Sequence, residues 1–274
     1  MRAKKSFGQN FLRDDDVISR IVGALDPSDN DNIIEIGPGR GALTDKLLAT
    51  LAKVTAIEID RELVPILRTQ FHFQAHFNIV EADVLDVDFG KLIANSETRF
   101  HKPDQVPDQT RNSLYKLVGN LPYNISTPIL QRLIDQREHF STIVLMLQRE
   151  VVERITASPG GKERGFLSVL VENAFVAERL FDVAPSAFQP VPKVWSSVVR
   201  LTPKSLGPGD DPAFRRLVSI SFAQKRKTIL NNLKHAYKNT AVLLAEAGID
   251  STRRAETLSL DEWFTLAQVI TQGQ

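Results

Sequence analysis

Six consecutive residues, Gly119-Asn120-Leu121-Pro122-Tyr123-Asn124, combine an amide, a constrained backbone carbonyl and an aromatic ring. Asn120 can accept a hydrogen bond through its side-chain oxygen. Pro122 restricts Leu121 to extended geometry, which gives the Leu121 carbonyl a fixed direction. Tyr123 offers a flat face for stacking. The set suits a planar heterocycle that carries an exocyclic amine. The amine of adenine is a poor nucleophile, because its lone pair is delocalised into the ring. Two acceptors holding its N–H bonds favour the pyramidal nitrogen and the positive charge that develop on attack. No strong base stands in the motif, and methyl transfer to an amine needs none at its start. The same residues also read as a plain loop with an asparagine cap and a proline turn.

The motif needs a scaffold that holds it beside a cofactor. An apolar run at 114–118 precedes it and a helical pattern at 126–134 follows, so a strand hands over to a helix there. Earlier in the chain the same handover occurs twice, and a third strand follows. Strands are expected at 32–36, 53–59 and 77–81, with helices at 42–51 and 61–70 between them. This β-α-β-α-β order predicts a parallel, doubly wound α/β sheet with its ligands at the carboxyl ends of the strands. The first strand runs into Gly37-Pro38-Gly39-Arg40-Gly41. A dinucleotide loop has the spacing G-x-G-x-x-G, and a triphosphate loop has G-x-x-x-x-G-K-[ST]. Here the spacing is G-x-G-x-G and Pro38 removes one N–H, which better suits a cofactor without phosphates, such as S-adenosylmethionine (SAM). Gly37 lets the backbone approach the methionine part of that cofactor. Glu58, at the second strand end, can take both ribose hydroxyls with its two oxygens. Asp83, at the third strand end, can accept from the adenine amine. A nicotinamide site and purely structural turn glycines are the rival readings.

The remaining chain divides around this core. Residues 2–13 carry Arg2, Lys4, Lys5 and Arg13 with no acid and interleave Phe7, Phe11 and Leu12, which predicts either a frayed terminus or an arm that closes over a ligand. A helix is expected at 15–24, capped by Asp14 or Asp15. Residues 91–112 are polar and read as a surface excursion. Phe188 is a candidate for stacking on the second face of a base that lies on Tyr123, or else an ordinary core aromatic. A strand at 196–201 is expected at the sheet edge, and 203–212 reads as a linker. The organisation predicted is therefore a Rossmann-like domain over 1–203 and a small all-helical domain over 204–274. Net charge is +1, yet residues 190–254 hold twelve Lys or Arg against four Asp or Glu, leaving −7 for the rest. Lys225, Arg226 and Lys227 head this basic portion and suit RNA phosphates, with a solvated helix face as the alternative. The absence of cysteine excludes thiol chemistry and disulfides and fits a reducing cytoplasm. The basic start lacks the apolar core of a signal peptide, and no apolar run is long enough to span a membrane. His72 and His76 have i, i+4 spacing without a third ligand, so no metal site is expected.

Several stretches coincide with one family. Gln9-Asn10-Phe11-Leu12, Glu35-Ile36-Gly37-Pro38-Gly39, Glu58-Ile59-Asp60, Asp83 and Asn120-Leu121-Pro122-Tyr123 occur in the expected order. So do Pro185-Ser186-Ala187-Phe188, Pro190-Val191-Pro192-Lys193-Val194 and Gln224-Lys225-Arg226-Lys227. The chain resembles the ribosomal RNA adenine N6-dimethyltransferases over nearly its whole length, and most closely their bacterial small-subunit branch. The resemblance implies SAM-dependent transfer of two methyls to each of two adjacent adenines in a hairpin loop near the 3′ end of small-subunit RNA. It implies that Asn10, Leu12, Gly37, Glu58, Asp83 and Asn120 contact SAM. It also implies that Asn120 and the Leu121 carbonyl hold the target amine while Tyr123 and Phe188 clamp the base. A cytoplasmic monomer that works on the small ribosomal subunit is expected. Two other classes remain open: a resistance methyltransferase acting on large-subunit RNA, and a non-catalytic RNA-binding assembly factor. The second could lose Asn120 or Glu58 without penalty, and both are present.

Overall fold

The computed structural model of the chain describes residues 9–100 and 114–272. Phe11–Leu12 form a short strand, β1. Helix α1 (Asp15–Leu25) begins where the Asp14 carboxylate accepts the Val17 N–H at 3.1 Å, with Asp15 and Asp16 in its positive first turn. Its stripe of Val17, Ile18, Ile21, Val22 and Leu25 is buried. Next come β2 (Asn32–Ile36), α2 (Ala42–Leu48), β3 (Lys53–Glu58), α3 (Leu63–Gln70), β4 (Phe77–Glu81) and α4 (Phe89–Phe100). The chain continues through β5 (Tyr115–Asn120), α5 (Ser126–Asp135), β6 (Phe140–Gln148), α6 (Arg149–Ile155) and α7 (Phe166–Ala174). Strands β7 (Phe175–Val183), β8 (Phe188–Gln189) and β9 (Ser196–Pro203) follow. Helices α8 (Pro212–Ser221), α9 (Ile229–Leu233), α10 (Thr240–Glu246) and α11 (Leu260–Gln272) come last.

Seven strands make one sheet in the order β4-β3-β2-β5-β6-β9-β7. From β4 to β6 neighbouring strands are parallel, and β9 runs antiparallel to β6. Ile33, Ile34, Leu117 and Val118 are fully buried, as strands covered on both faces require. The chain steps outward from β2 to β3 and β4, then returns to the other side of β2 with β5. That reversal opens a crevice beyond the carboxyl ends of β2 and β5. The register Ile36↔Gly119 sets the glycine loop level with the motif that starts at Asn120. A separate two-stranded ladder pairs β1 with β8, Leu12 opposite Phe188.

The mixed α/β architecture agrees with the sequence reading, and four local expectations do not. Strand β9 lies between β6 and β7, so it is internal and β7 takes the edge. Residues 91–100 of the expected polar excursion are helical, as part of α4; among the residues of this helix whose burial is described, Phe89, Leu92 and Ser96 are the buried ones, so its apolar signal is weak. Residues 101–112 of that excursion lie outside the described residues, as do Arg2, Lys4, Lys5 and Phe7 of the basic arm. The 203–212 stretch is not a free linker, because Lys204 donates from its backbone to Ala174 O at 2.8 Å and from Nζ to Glu172 O at 2.7 Å. Finally, the chain divides into Met1–Val152 with Glu178–Pro203 as one compact unit and Glu153–Ala177 with Lys204–Gln274 as the other. The second unit recruits α7 because Val169 joins Phe214, Leu217, Ile229 and Trp263 in its apolar core. The buried Arg164 adds to this by donating to Ala157 O at 2.9 Å and Leu258 O at 3.2 Å.

Candidate active site

A cavity of about 330 Å³ occupies the crevice of the first unit. Three strand ends and one strap build it: Gly37 to Leu43 after β2, Glu58 and Ile59 after β3, Asn120 to Ile125 after β5, and Gln9 to Leu12 from the N-terminal side. Asp83 and Val84, after β4, complete the wall. The sequence therefore brings Asn10, Leu12, Gly37, Glu58, Asp83, Asn120, Leu121 and Tyr123 to one cavity.

The glycine loop is shaped by its own backbone. Gly37 has φ +65° and a Cβ there would meet nothing within 4 Å, so its missing side chain leaves open space on the cavity wall. Its N–H donates to Ile57 O at 2.9 Å, which ties the loop to β3. Glu58 is 5% exposed and held by two backbone donors. Asp60 N–H reaches Oε1 at 2.9 Å and Gly39 N–H reaches Oε2 at 3.3 Å. Burial raises its pKa, and those two N–H bonds work in the opposite direction. Each carboxylate oxygen keeps a second lone pair for a hydroxyl of a ligand. Asp83 Oδ1 accepts Leu85 N–H at 2.9 Å, which orients that carboxylate at the end of β4.

Asn120 ends β5, and its Nδ2 donates to Asn10 O at 3.1 Å. That bond assigns the amide orientation and leaves Oδ1 as an acceptor for an amine. Leu121 is buried, and its N–H donates to Met146 O at 3.2 Å. The Tyr123 hydroxyl meets Ser196 Oγ at 2.7 Å. Burial raises the phenol pKa, so Tyr123 is neutral.

Two predicted residue sets lie elsewhere. Phe188 does not line the cavity. It is 3% exposed and packs in the apolar core, because the β1–β8 ladder turns it inward opposite Leu12. The core-aromatic reading holds for it, and the expected clamp lacks this second face. Lys225, Arg226 and Lys227 are exposed in the turn between α8 and α9 of the second unit, where Lys225 Nζ donates to Lys162 O at 2.8 Å. His72 and His76 each reach a different backbone carbonyl, Thr69 O at 2.8 Å and Leu48 O at 3.3 Å.

Sequence reasoning missed three members of the neighbourhood. Gln9 Nε2 donates to Asp60 Oδ2 at 3.0 Å, which ties the strap to the end of β3. The Arg40 guanidinium lies 4.7 Å from the centre of the Phe11 ring. Glu35, quoted above only as part of a motif, is 1% exposed beneath the glycine loop. Burial pushes its carboxyl up to about 7; the Thr44 hydroxyl at 2.6 Å opposes this and the charge of Glu58 adds to it. All three were visible only as members of quoted motifs, Gln9 and Glu35 in the family stretches and Arg40 in the glycine loop, and no local signal gave any of them a role of its own.

Comparison with known proteins bears on this site. The family model described as ribosomal RNA adenine dimethylase matches residues 1–272. The chain is 43% identical over 272 residues to ribosomal RNA small subunit methyltransferase A of Hahella chejuensis, covering 98% of this chain and 93% of the relative. It is 40% identical to the protein of the same name from Pseudomonas aeruginosa, covering 99% and 96%. Among solved structures it is similar to a dimethyladenosine transferase from Plasmodium falciparum, with a TM-score of 0.74, 26% identity and coverage of 93% and 95%. The 23S rRNA methyltransferase ErmE shares the fold, with a TM-score of 0.68 at 24% identity, covering 96% of this chain and 100% of that one.

Proposed function

The chain belongs to the ribosomal RNA adenine dimethylase family, and from that premise we propose that it uses SAM to dimethylate the N6 amines of two adjacent adenines in the 3′-terminal hairpin loop of small-subunit RNA. One observation supports this above the others: the glycine loop, Glu58, Asp83 and the Asn120–Tyr123 motif line a single cavity. The donor set fits SAM. Open space at Gly37, a pinned carboxylate at Glu58 and a second carboxylate at Asp83 match the methionine part, the ribose and the adenine amine in turn. Asn10, Leu12 and Asn120 complete the proposed cofactor shell. When bound, SAM supplies an electrophilic methyl group on a sulfonium.

The protein's part is orientation. Asn120 Oδ1 and the Leu121 carbonyl accept the two N–H bonds of the target amine, which frees its lone pair to point at the methyl carbon. Tyr123 carries the base by stacking. The new N–C bond would use that lone pair while the methyl–sulfur bond of the donor breaks and its electron pair leaves on the sulfur, giving S-adenosylhomocysteine, and one N–H proton would then be lost to solvent. Phe188 supports the site from the core by backing the strap at Leu12. Lys225, Arg226 and Lys227 offer charge to RNA phosphates. We read the chain as a cytoplasmic monomer, and no helix among the described residues is long and apolar enough to cross a membrane.

Methyl transfer from labelled SAM to small subunits that lack the modification tests the proposal, with digestion to identify the nucleoside. Dimethyladenosine in small-subunit RNA is the expected product. Label confined to large-subunit RNA would move the chain to the resistance enzymes, and bound RNA without label would make it a non-catalytic factor. Asn120→Ala is expected to lower the chemical rate about 100-fold or more, on the scale of losing a transition-state hydrogen bond, with SAM affinity falling far less. Collapse of SAM binding with unchanged turnover of bound SAM would remove the role given to Asn120.

A further inference from the structure

Tyr123 is pinned at both ends by serines. At the backbone end, Ser126 Oγ donates to Tyr123 O at 3.1 Å. At the ring end, Ser196 Oγ stands 2.7 Å from the phenol oxygen. Both serines are essentially inaccessible, Ser126 at 1% and Ser196 at 0% exposure. Ser196 does not line the cavity, so it has no direct route to a ligand there. It opens β9 and is paired with Gln148 at the end of β6, the strand whose Met146 pairs with Asn120. The sheet thus sets the position of this hydroxyl relative to the base motif.

The phenol oxygen is the far end of the Tyr123 side chain. Anchoring it restrains the swing about Cα–Cβ that would carry the ring face away from the cavity. Two neutral hydroxyls make this bond, so it costs no charge burial and alters no charge at the site. Taking Tyr123 as the platform for the target base, a reading that belongs to the proposed function above, we infer that Ser196 is a positioning residue that fixes the stacking face through the hydroxyl–hydroxyl bond. The neighbouring Ser197 does not share this role. Successive strand residues face opposite sides of the sheet, and Ser197 Oγ donates to Asp182 instead.

The test is a double-mutant cycle on methyl transfer to small subunits with Ser196→Ala, Tyr123→Phe and the double variant. Each single variant is expected to lose about 3- to 10-fold in kcat, the range for one neutral hydrogen bond, with KM for SAM unchanged. The double variant is expected to be no slower than the slower single, since both remove the same bond. Ser197→Ala, one residue along the same strand, is expected to match the wild type. A loss from Ser196→Ala that is equally large in the Tyr123→Phe background would overturn the inference. So would Tyr123→Phe at the wild-type rate, a result that does not depend on Ser196→Ala folding. Absence of transfer by the wild-type chain is seen before any variant is compared and overturns the functional reading itself.

Discussion

Replacing Glu35 with glutamine isolates the pH dependence of one buried carboxyl. In the folded chain this group titrates at about 7 against an ordinary 4.5, chiefly because it is buried. The native state therefore holds a proton between those values that the unfolded chain has released. Stability is greatest below 4.5, falls as pH rises through the window, and levels off above about 7. At about 1.4 kcal/mol per pH unit, the gap is worth about 3 kcal/mol, undiscounted because the side chain is 1% exposed. Glutamine keeps an acceptor for the Thr44 hydroxyl and cannot ionise. It also leaves an unpaired NH2 where Oε1 has no hydrogen-bond partner, a cost that is the same at every pH. The slope rather than the level therefore carries the result. Urea unfolding at several pH values from 4.5 to 8, followed by far-ultraviolet circular dichroism, measures it. The wild type should lose about 3 kcal/mol more than the variant across the window. Parallel curves for the two proteins would refute the assignment of this proton to Glu35.

Two further outcomes follow from the structure. Gly41→Ala places a side chain at φ +82° with its Cβ 2.8 Å from a Phe71 ring atom. Left-handed strain and overpacking together should cost about 2–4 kcal/mol, read as a lower urea midpoint. Replacing Lys225, Arg226 and Lys227 with alanine should weaken RNA binding and flatten its salt dependence. The slope of log affinity against log salt should fall by about 2 if all three meet phosphates, and an unchanged slope would remove them from the RNA interface.

What was legible in the chain was what its neighbours in sequence determine. Asn32–Ile36 and Phe77–Glu81 are apolar runs bounded by polar or turn residues, and both appear as strands with the expected bounds. The glycine loop and the Asn120 motif each fall at a strand end, so the doubly wound order was enough to bring them to one crevice. Errors arose where a partner lies far along the chain. β1 and β8 are two residues each, too short for any period to register, yet their pairing turns Phe188 into the core. β9 looked like an edge strand because its alternation carries no information about β7 on its other side. Helix α7 resembles any buried helix, and only the position of its Val169 among Phe214, Leu217 and Trp263 assigns it to the second unit.

The most consequential contact of this kind is the one from Asn120 Nδ2 to Asn10 O. An asparagine at a strand end can present either its oxygen or its nitrogen to a ligand, and an amine needs the oxygen. The motif alone does not choose. The choice is made 110 residues away, by a carbonyl in the strap that Gln9 ties to Asp60 and that β1 ties to β8. The strap therefore does more than line the cavity. It supplies the acceptor that sets the Asn120 amide with Oδ1 toward the cavity, so the amine site of the proposed function is complete only when residues 9–12 are in place. This gives a physical reason for two distant motifs to occur together in one chain.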